Sequence, residues 1–252
     1  MCETLNFRFE SISEFSSPIF SHSFILRCIP FENLGQRLLE CNQEITGGKI
    51  SRSCDGFSNT ILWGGIDEAH ENFRVVSQGR VLIDNSFKDT FLNPVFKFPS
   101  RLASADAVMK DFAQSYIGKT PGETLKNLTA AVYEKHVYNS NSTKIETTAA
   151  EAFYSGCGGC QDFSHILISA LRADGIPARY VCGYVRSLKL SHAWVEAFYD
   201  GFWHFADPTE NILQGSGYIK IAHGRDASDC PLNRGVYSGL AAENVKIEIR
   251  VE

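Results

Sequence analysis

Gly156-Cys157-Gly158-Gly159-Cys160-Gln161-Asp162-Phe163 decides how the second half of this chain folds. Its glycines make a tight turn. The apolar residues Phe163, Ile166, Leu167, Ala170 and Leu171 then recur at helical spacing until Gly175-Ile176-Pro177 stops them. The turn therefore feeds a helix, with Cys160 at its start. A helix start offers unpaired backbone amides and the positive end of the dipole, so it favours an anion such as a thiolate. The same amides suit an oxyanion, the Cys160 amide being the first candidate donor and Gln161 a lesser one. Glycines before the sulfur allow close approach of a substrate. A cysteine in this place also occurs simply as a small buried apolar group. Cys157-x-x-Cys160 has two further readings, a redox dithiol or half of a zinc site. The first wants a preceding thioredoxin-type strand. The second wants a further ligand pair, which Cys182, His165, His192 and His204 do not supply by their spacing.

Downstream, residues 191–199 and 202–208 alternate as two strands joined by Asp200-Gly201, a two-residue hairpin signal. With Tyr199 opposite Phe202, Trp194 falls opposite Asp207, and His192 lies diagonally from Asp207 on the same side. Cys160, His192 and Asp207 then stand as candidate nucleophile, base and orienter, the three parts of thiol acyl transfer. A one-residue slip in the turn would send Asp207 to the other face. His204 alternates onto that other face and is the runner-up base.

Between the N-terminus and the glycine turn the pattern changes once. Residues 1–83 run in short alternating stretches, among them 5–9, 23–29, 59–63 and 72–83, punctuated by Pro30, Gly35, Gly47-Gly48 and Gly64-Gly65. These predict antiparallel strands in a sandwich-like unit. Helical spacing follows over 103–117. Thr120-Pro121-Gly122-Glu123 then carries a capping box with proline at the first helical position, for a helix reaching about residue 138. Thr148 and Glu151 repeat the capping signature for a short helix. The expected organisation is a β-sandwich-like N-terminal domain over 1–95 and an α+β catalytic domain over 96–252.

A net charge of -5 and the lack of a basic stripe argue against a nucleic-acid surface. The longest apolar runs, such as 166–171, fall far short of the ~20 residues that cross a bilayer. The first ten residues alternate like a strand instead of forming an export signal, so a cytoplasmic location is expected, with the eight cysteines held mostly as thiols. Cys2, Cys28, Cys41 and Cys54 show no metal-type pairing among themselves.

An ordered set of blocks adds a family resemblance. Residues 159–165 around Cys160, 171–181 with Gly183-Tyr184, His192-Ala193-Trp194-Val195-Glu196, and 203–209 around Asp207 resemble the transglutaminase-like superfamily of cysteine enzymes, in the form carried by many bacterial protease candidates. Gly224-Arg225-Asp226, Asp229, Pro231 and 235–239 resemble the tail of those proteins. The resemblance implies a papain-like core, helices packed on an antiparallel sheet, preceded by a β-rich N-terminal domain. It implies Cys160, His192 and Asp207 as a catalytic triad acting on an amide bond of a peptide or protein substrate through a Cys160 thioester, with no cofactor or metal. Hydrolysis is preferred over acyl transfer to an amine, because nothing in the sequence marks a channel that admits an amine and excludes water. A non-catalytic binding module on the same fold is the rival from another class, and the intact residue types count against it. Cys157 departs from the family pattern and raises a reversible Cys157 to Cys160 disulfide as a switch.

Overall fold

The alternating N-terminal pattern forms antiparallel strands as expected, but its run at 5–9 joins the start of that at 23–29 in one long strand. A computed structural model describes residues 2–252. Strand β1 (Cys2–Leu26) continues for 25 residues, with Leu5, Phe7, Phe9 and Phe24 on its buried side. It is followed by β2 (Gln36–Ile45), β3 (Lys49–Cys54), β4 (Thr60–Ile66) and β5 (His70–Asp84). These pair in the order β2-β5-β1-β4-β3, β5 against the first part of β1 and β4 against the second. The register shifts between Glu14 and Ile19, which lets one strand serve both parts of the sheet.

The connection holds a single helical turn at Pro94–Lys97, capped by the Asn93 side chain. Helix α1 (Ala107–Gln114) is shorter than its spacing suggested, because the Asp106 carboxylate accepts from the Met109 amide and fixes the start there. Helix α2 (Pro121–Lys135) starts on Thr120, whose hydroxyl accepts from the Glu123 amide. The capping box is only half formed, since the Glu123 carboxylate turns to the Lys119 amide. The helix stops short of residue 138, because Val137 and Tyr138 form β6 (Val137–Tyr138) instead. Helix α3 (Ala149–Ser155) carries the full Thr148 and Glu151 box. The two-residue strand β7 (Cys157–Gly158) pairs with β6 and leads into α4 (Cys160–Ala173).

Helix α4 is buried on nearly every side. It packs against α1, α2 and α3, and against β8 (Ala178–Val185) and β9 (His192–Tyr199). The second sheet adds β10 (Phe202–Ala206) and β11 (Tyr218–Gly224) in the order β10-β9-β8-β11. Leu167, Ile168, Leu171 and Val195 form the core between helix and sheet, all fully buried. Burial of each contributes about 1.5–3 kcal/mol. The Arg172 guanidinium ties this end of the helix to the connection. It donates to the carbonyls of Phe96 at 3.1 Å, Ala178 at 2.8 Å and Arg225 at 2.8 Å. Burial pushes its pKa down to about 10.

The chain ends in β12 (Asn233–Ser238) and β13 (Glu243–Val251), both antiparallel to β1. These last strands fall within the stretch expected to belong to the catalytic part, yet they complete the N-terminal sheet. The two layers also share side chains. Tyr184, Ile219 and Ile221 of the second sheet enter the N-terminal core, where Tyr184 stacks on Phe9 with ring centroids 5.7 Å apart.

Candidate active site

Gly156 ends α3 in the left-handed region at φ +66, and Gly159 is the residue before α4, so Cys160 is the first residue of the helix. Its amide, like that of Gln161, has no backbone acceptor inside the helix, whereas the Asp162 amide donates to the Gly159 carbonyl at 3.0 Å. Asp162, two residues on and buried, accepts from the Gly159 amide at 2.8 Å and from the Thr143 hydroxyl at 2.6 Å. Its carboxylate thereby braces the turn that presents the sulfur. Gly158 must be glycine here, since a Cβ would lie 2.6 Å from that of Asp162.

His192 opens β9 opposite Gly183 of β8. The hairpin has Phe202 against Tyr199, as its sequence requires. The turn is built by positive φ at Asp200 (49) and Gly201 (83), the combination of a type I′ turn. Asp207 follows β10 and forms an isolated bridge with Ile212. Nε2 of His192 lies 2.6 Å from Oδ2 of Asp207, and both side chains are buried. The other ring nitrogen, Nδ1, is left free by that bond, and the Cys160 thiol is near enough to the imidazole to raise its pKa. Burial pushes His192 down, but the hydrogen bonds to Asp207 and Cys160 outweigh it and raise the pKa to about 10. The imidazole therefore holds its proton across the neutral range.

Asp207 is fully satisfied. Oδ1 accepts from the amides of Thr209 at 2.8 Å and Glu210 at 3.3 Å, and Oδ2 accepts a further bond from the Tyr218 hydroxyl at 2.9 Å. Tyr218 was not foreseen, and the only signal for it is the alternation of the strand it opens. Gln161 is half-buried, and its side chain donates to the Ile145 carbonyl at 3.0 Å. It is thus engaged away from the sulfur.

The other titratable residues singled out do different work. The His165 ring is enclosed and accepts from the Ala227 amide at 3.1 Å; burial lowers its pKa to about 4, so it stays neutral. His204 stacks on Tyr199 at 3.5 Å and lies away from Asp207. Cys157 and Cys160 are both free thiols, as are the remaining six cysteines. Among the described residues, no three His, Cys, Asp or Glu side chains gather as a metal site.

A cleft of about 540 Å³ opens beside Gln161 at the start of α4, lined also by Ser191, Tyr180 and Cys182 together with β12 and β13. A larger cavity of about 740 Å³ lies on the sheet face turned from α4, over the ion cluster Arg179, Glu196 and Lys220. The smaller one is lined by Gln161 and Ser191, the chain neighbours of Cys160 and His192, and the larger one by Tyr218, the hydrogen-bond partner of Asp207, so the two cavities flank the Cys160, His192 and Asp207 cluster from opposite sides.

A family model described as the transglutaminase-like superfamily matches residues 110–208, and one for the bacterial transglutaminase-like N-terminal region matches residues 5–82. An uncharacterized protein of Mycobacterium tuberculosis is 33% identical over 264 residues, covering 88% of this chain and 83% of its own. The chain belongs to the transglutaminase-like superfamily. An uncharacterized protein of Mycobacterium leprae is 32% identical over 124 residues, covering 45% of this chain and 44% of its own. The crystal structure of a candidate cysteine protease from Cytophaga hutchinsonii superposes with a TM-score of 0.78 at 25% identity, covering 100% of this chain and 93% of that one. The transglutaminase-like fold and this neighbour support a cysteine-dependent enzyme. No helix among the described residues is long and apolar enough to cross a membrane.

Proposed function

We propose that this protein hydrolyses amide bonds of peptides through a thioester on Cys160. The observation that carries the reading is the buried His192–Asp207 pair at 2.6 Å, with the helix-start thiol of Cys160 near enough to the imidazole to raise its pKa. His192 takes the Cys160 proton, and the thiolate attacks the amide carbonyl while the Cys160 backbone amide donates to the developing oxyanion. His192 then gives that proton to the leaving amine as the carbon–nitrogen bond breaks. Water, deprotonated by His192, attacks the thioester and releases the acid, and the proton returns to the thiolate. Asp207 keeps the Nε2 proton in place, so Nδ1 faces the sulfur throughout. Hydrolysis is favoured over transfer to an amine because no residue pattern in the chain marks a channel that admits an amine and keeps water out.

The test compares wild type with Cys160→Ala and His192→Ala on a diverse peptide library, with and without an added primary amine. Iodoacetamide labelling against pH runs alongside. Cleavage that needs both residues, with fast labelling at neutral pH lost in His192→Ala, is the expected result. Amine-dependent products in place of cleavage would assign a transamidase. Labelling no faster than a model thiol of pKa ~8.5 would remove the activated cysteine.

A further inference from the structure

Strands β12 and β13 each pair with β1 along one edge, and among the described residues no strand pairs with the other edge. The register tells which backbone groups that free edge presents. Asn6 and Glu252 exchange both hydrogen bonds, at 2.8 and 3.0 Å, so every second residue back along β13 bonds to β1 and the alternate ones turn away. Glu243, Val245, Ile247 and Ile249 belong to the outward set, and the Ile249 amide does donate outward, to Lys189 at 2.8 Å. On β12 the Arg27 amide donates to the Leu232 carbonyl at 2.8 Å, so Asn233, Gly235 and Tyr237 turn away from β1. The three outward residues of β12 and the first three outward residues of β13 all line the cleft that Gln161, next to Cys160, also lines. Of the residues that bond to β1, Val236, Asn244 and Lys246 stay out of the cleft, and Leu232 and Arg234 reach it at the start of β12.

We propose that an extended peptide substrate binds by adding a strand to this edge, which leads it toward Cys160. The proposal rests on the peptide-hydrolase reading above and names how such a substrate is held. Unpaired edge amides and carbonyls are satisfied best by another extended backbone about 4.8 Å away. Val245 and Ile247, 46% and 37% exposed, share the face of the buried Ile249 and extend an apolar floor beneath the incoming strand. The edge is sunk in a cleft whose lining also includes Arg101, Glu146 and Gln161, which suits a single strand better than the sheet edge of a second copy. Backbone pairing gives affinity with little side-chain selection, so a range of sequences should bind.

The test uses the best-cleaved decapeptide from the library and scans N-methylation along its backbone. Strand addition needs every second substrate amide, so KM should rise about 3- to 10-fold at alternate positions, the worth of one hydrogen bond each. Val245→Pro removes one outward amide and leaves the bonds to β1 intact, a change that edge strands tolerate. It should raise KM and abolish the penalty at the one methylated position that faces it. A uniform penalty, or none, overturns strand addition while leaving the hydrolase reading standing. Failure of wild type to cleave any peptide removes the hydrolase reading and this proposal with it. A concentration-dependent dimer that Val245→Pro dissociates would assign the edge to a second copy and overturn the proposal.

Discussion

Tyr218 donates its hydroxyl proton to Oδ2 of Asp207 at 2.9 Å, the same oxygen that holds Nε2 of His192. Burial and the neighbouring carboxylate raise the Tyr218 pKa, so the phenol remains a donor throughout the working range. The carboxylate is held by four donors in all. That leaves it little freedom to rotate, and the imidazole inherits the restriction.

Tyr218→Phe should lower kcat about 3- to 30-fold, since one charge-assisted hydrogen bond worth roughly 1–2 kcal/mol is lost from the orienting group. With one donor fewer, Asp207 holds the imidazolium more strongly, so the alkaline limb of the rate profile should move up. A drop in kcat with no displacement of that limb would show that Tyr218 acts through packing alone.

Asp207→Asn should lower kcat/KM by about 10²- to 10⁴-fold, because the imidazole loses both its tautomer and its charge partner. The pH dependence has a definite sign. His192 is raised from 6.5 to about 10 in the folded chain, so its contribution to stability is complete below pH 6.5 and disappears as the pH rises through 10. Melting temperatures of wild type and Asp207→Asn should therefore converge toward pH 10. Curves that stay parallel would contradict the assigned interaction.

Glu196 lies between Arg179 and Lys220, both 2.6 Å away, beneath the larger cavity. Burial pushes its carboxyl up, but the two cations outweigh burial and bring the pKa down to about 2. Glu196→Gln should cost about 3–5 kcal/mol in urea unfolding, since it leaves two cations facing each other in a buried cluster. The stabilisation is complete above pH 4.5 and is lost as the pH falls through 2.

Arg172→Met should destabilise by several kcal/mol, because the carbonyls of Ala178, Arg225 and Phe96 lose their donor where no water replaces it. Hydrogen exchange should speed up in the connection around 94–100 before it does in β1.

Gly158→Ala places a methyl against Asp162 and drives that carboxylate off the Gly159 amide. Stability should fall by only about 1–2 kcal/mol, whereas cleavage should fall by 10-fold or more, because the displaced turn carries the sulfur. Equal losses in both would place the turn outside the site.

Local chemistry accounts for what was legible. The Asp200-Gly201 turn can adopt few geometries, so the pairing of Tyr199 with Phe202, and with it the approach of His192 to Asp207, follows from a short stretch of chain. The helix start at Cys160 is equally local, since it needs only the glycine turn and the apolar spacing that follows. Where the outcome hung on competing neighbours, the expectation missed by a few residues. Asp106 delayed the start of α1, and pairing of Val137 with Cys157 ended α2 early.

Three features belong to the tertiary structure alone. Tyr218 meets Asp207 because β11 pairs with β8 across the sheet, a contact that no periodicity encodes. The last two strands read as ordinary alternation and gave no sign of their partner, which is β1, more than 200 residues away. Their return sets a sheet edge against the cleft. By itself the sequence determined the elements and the thiol, imidazole and carboxylate they carry, because turn chemistry and apolar spacing act over a few residues. The tertiary structure decided how those groups are oriented and what lines the cleft beside them, because long-range pairing depends on burying two faces together.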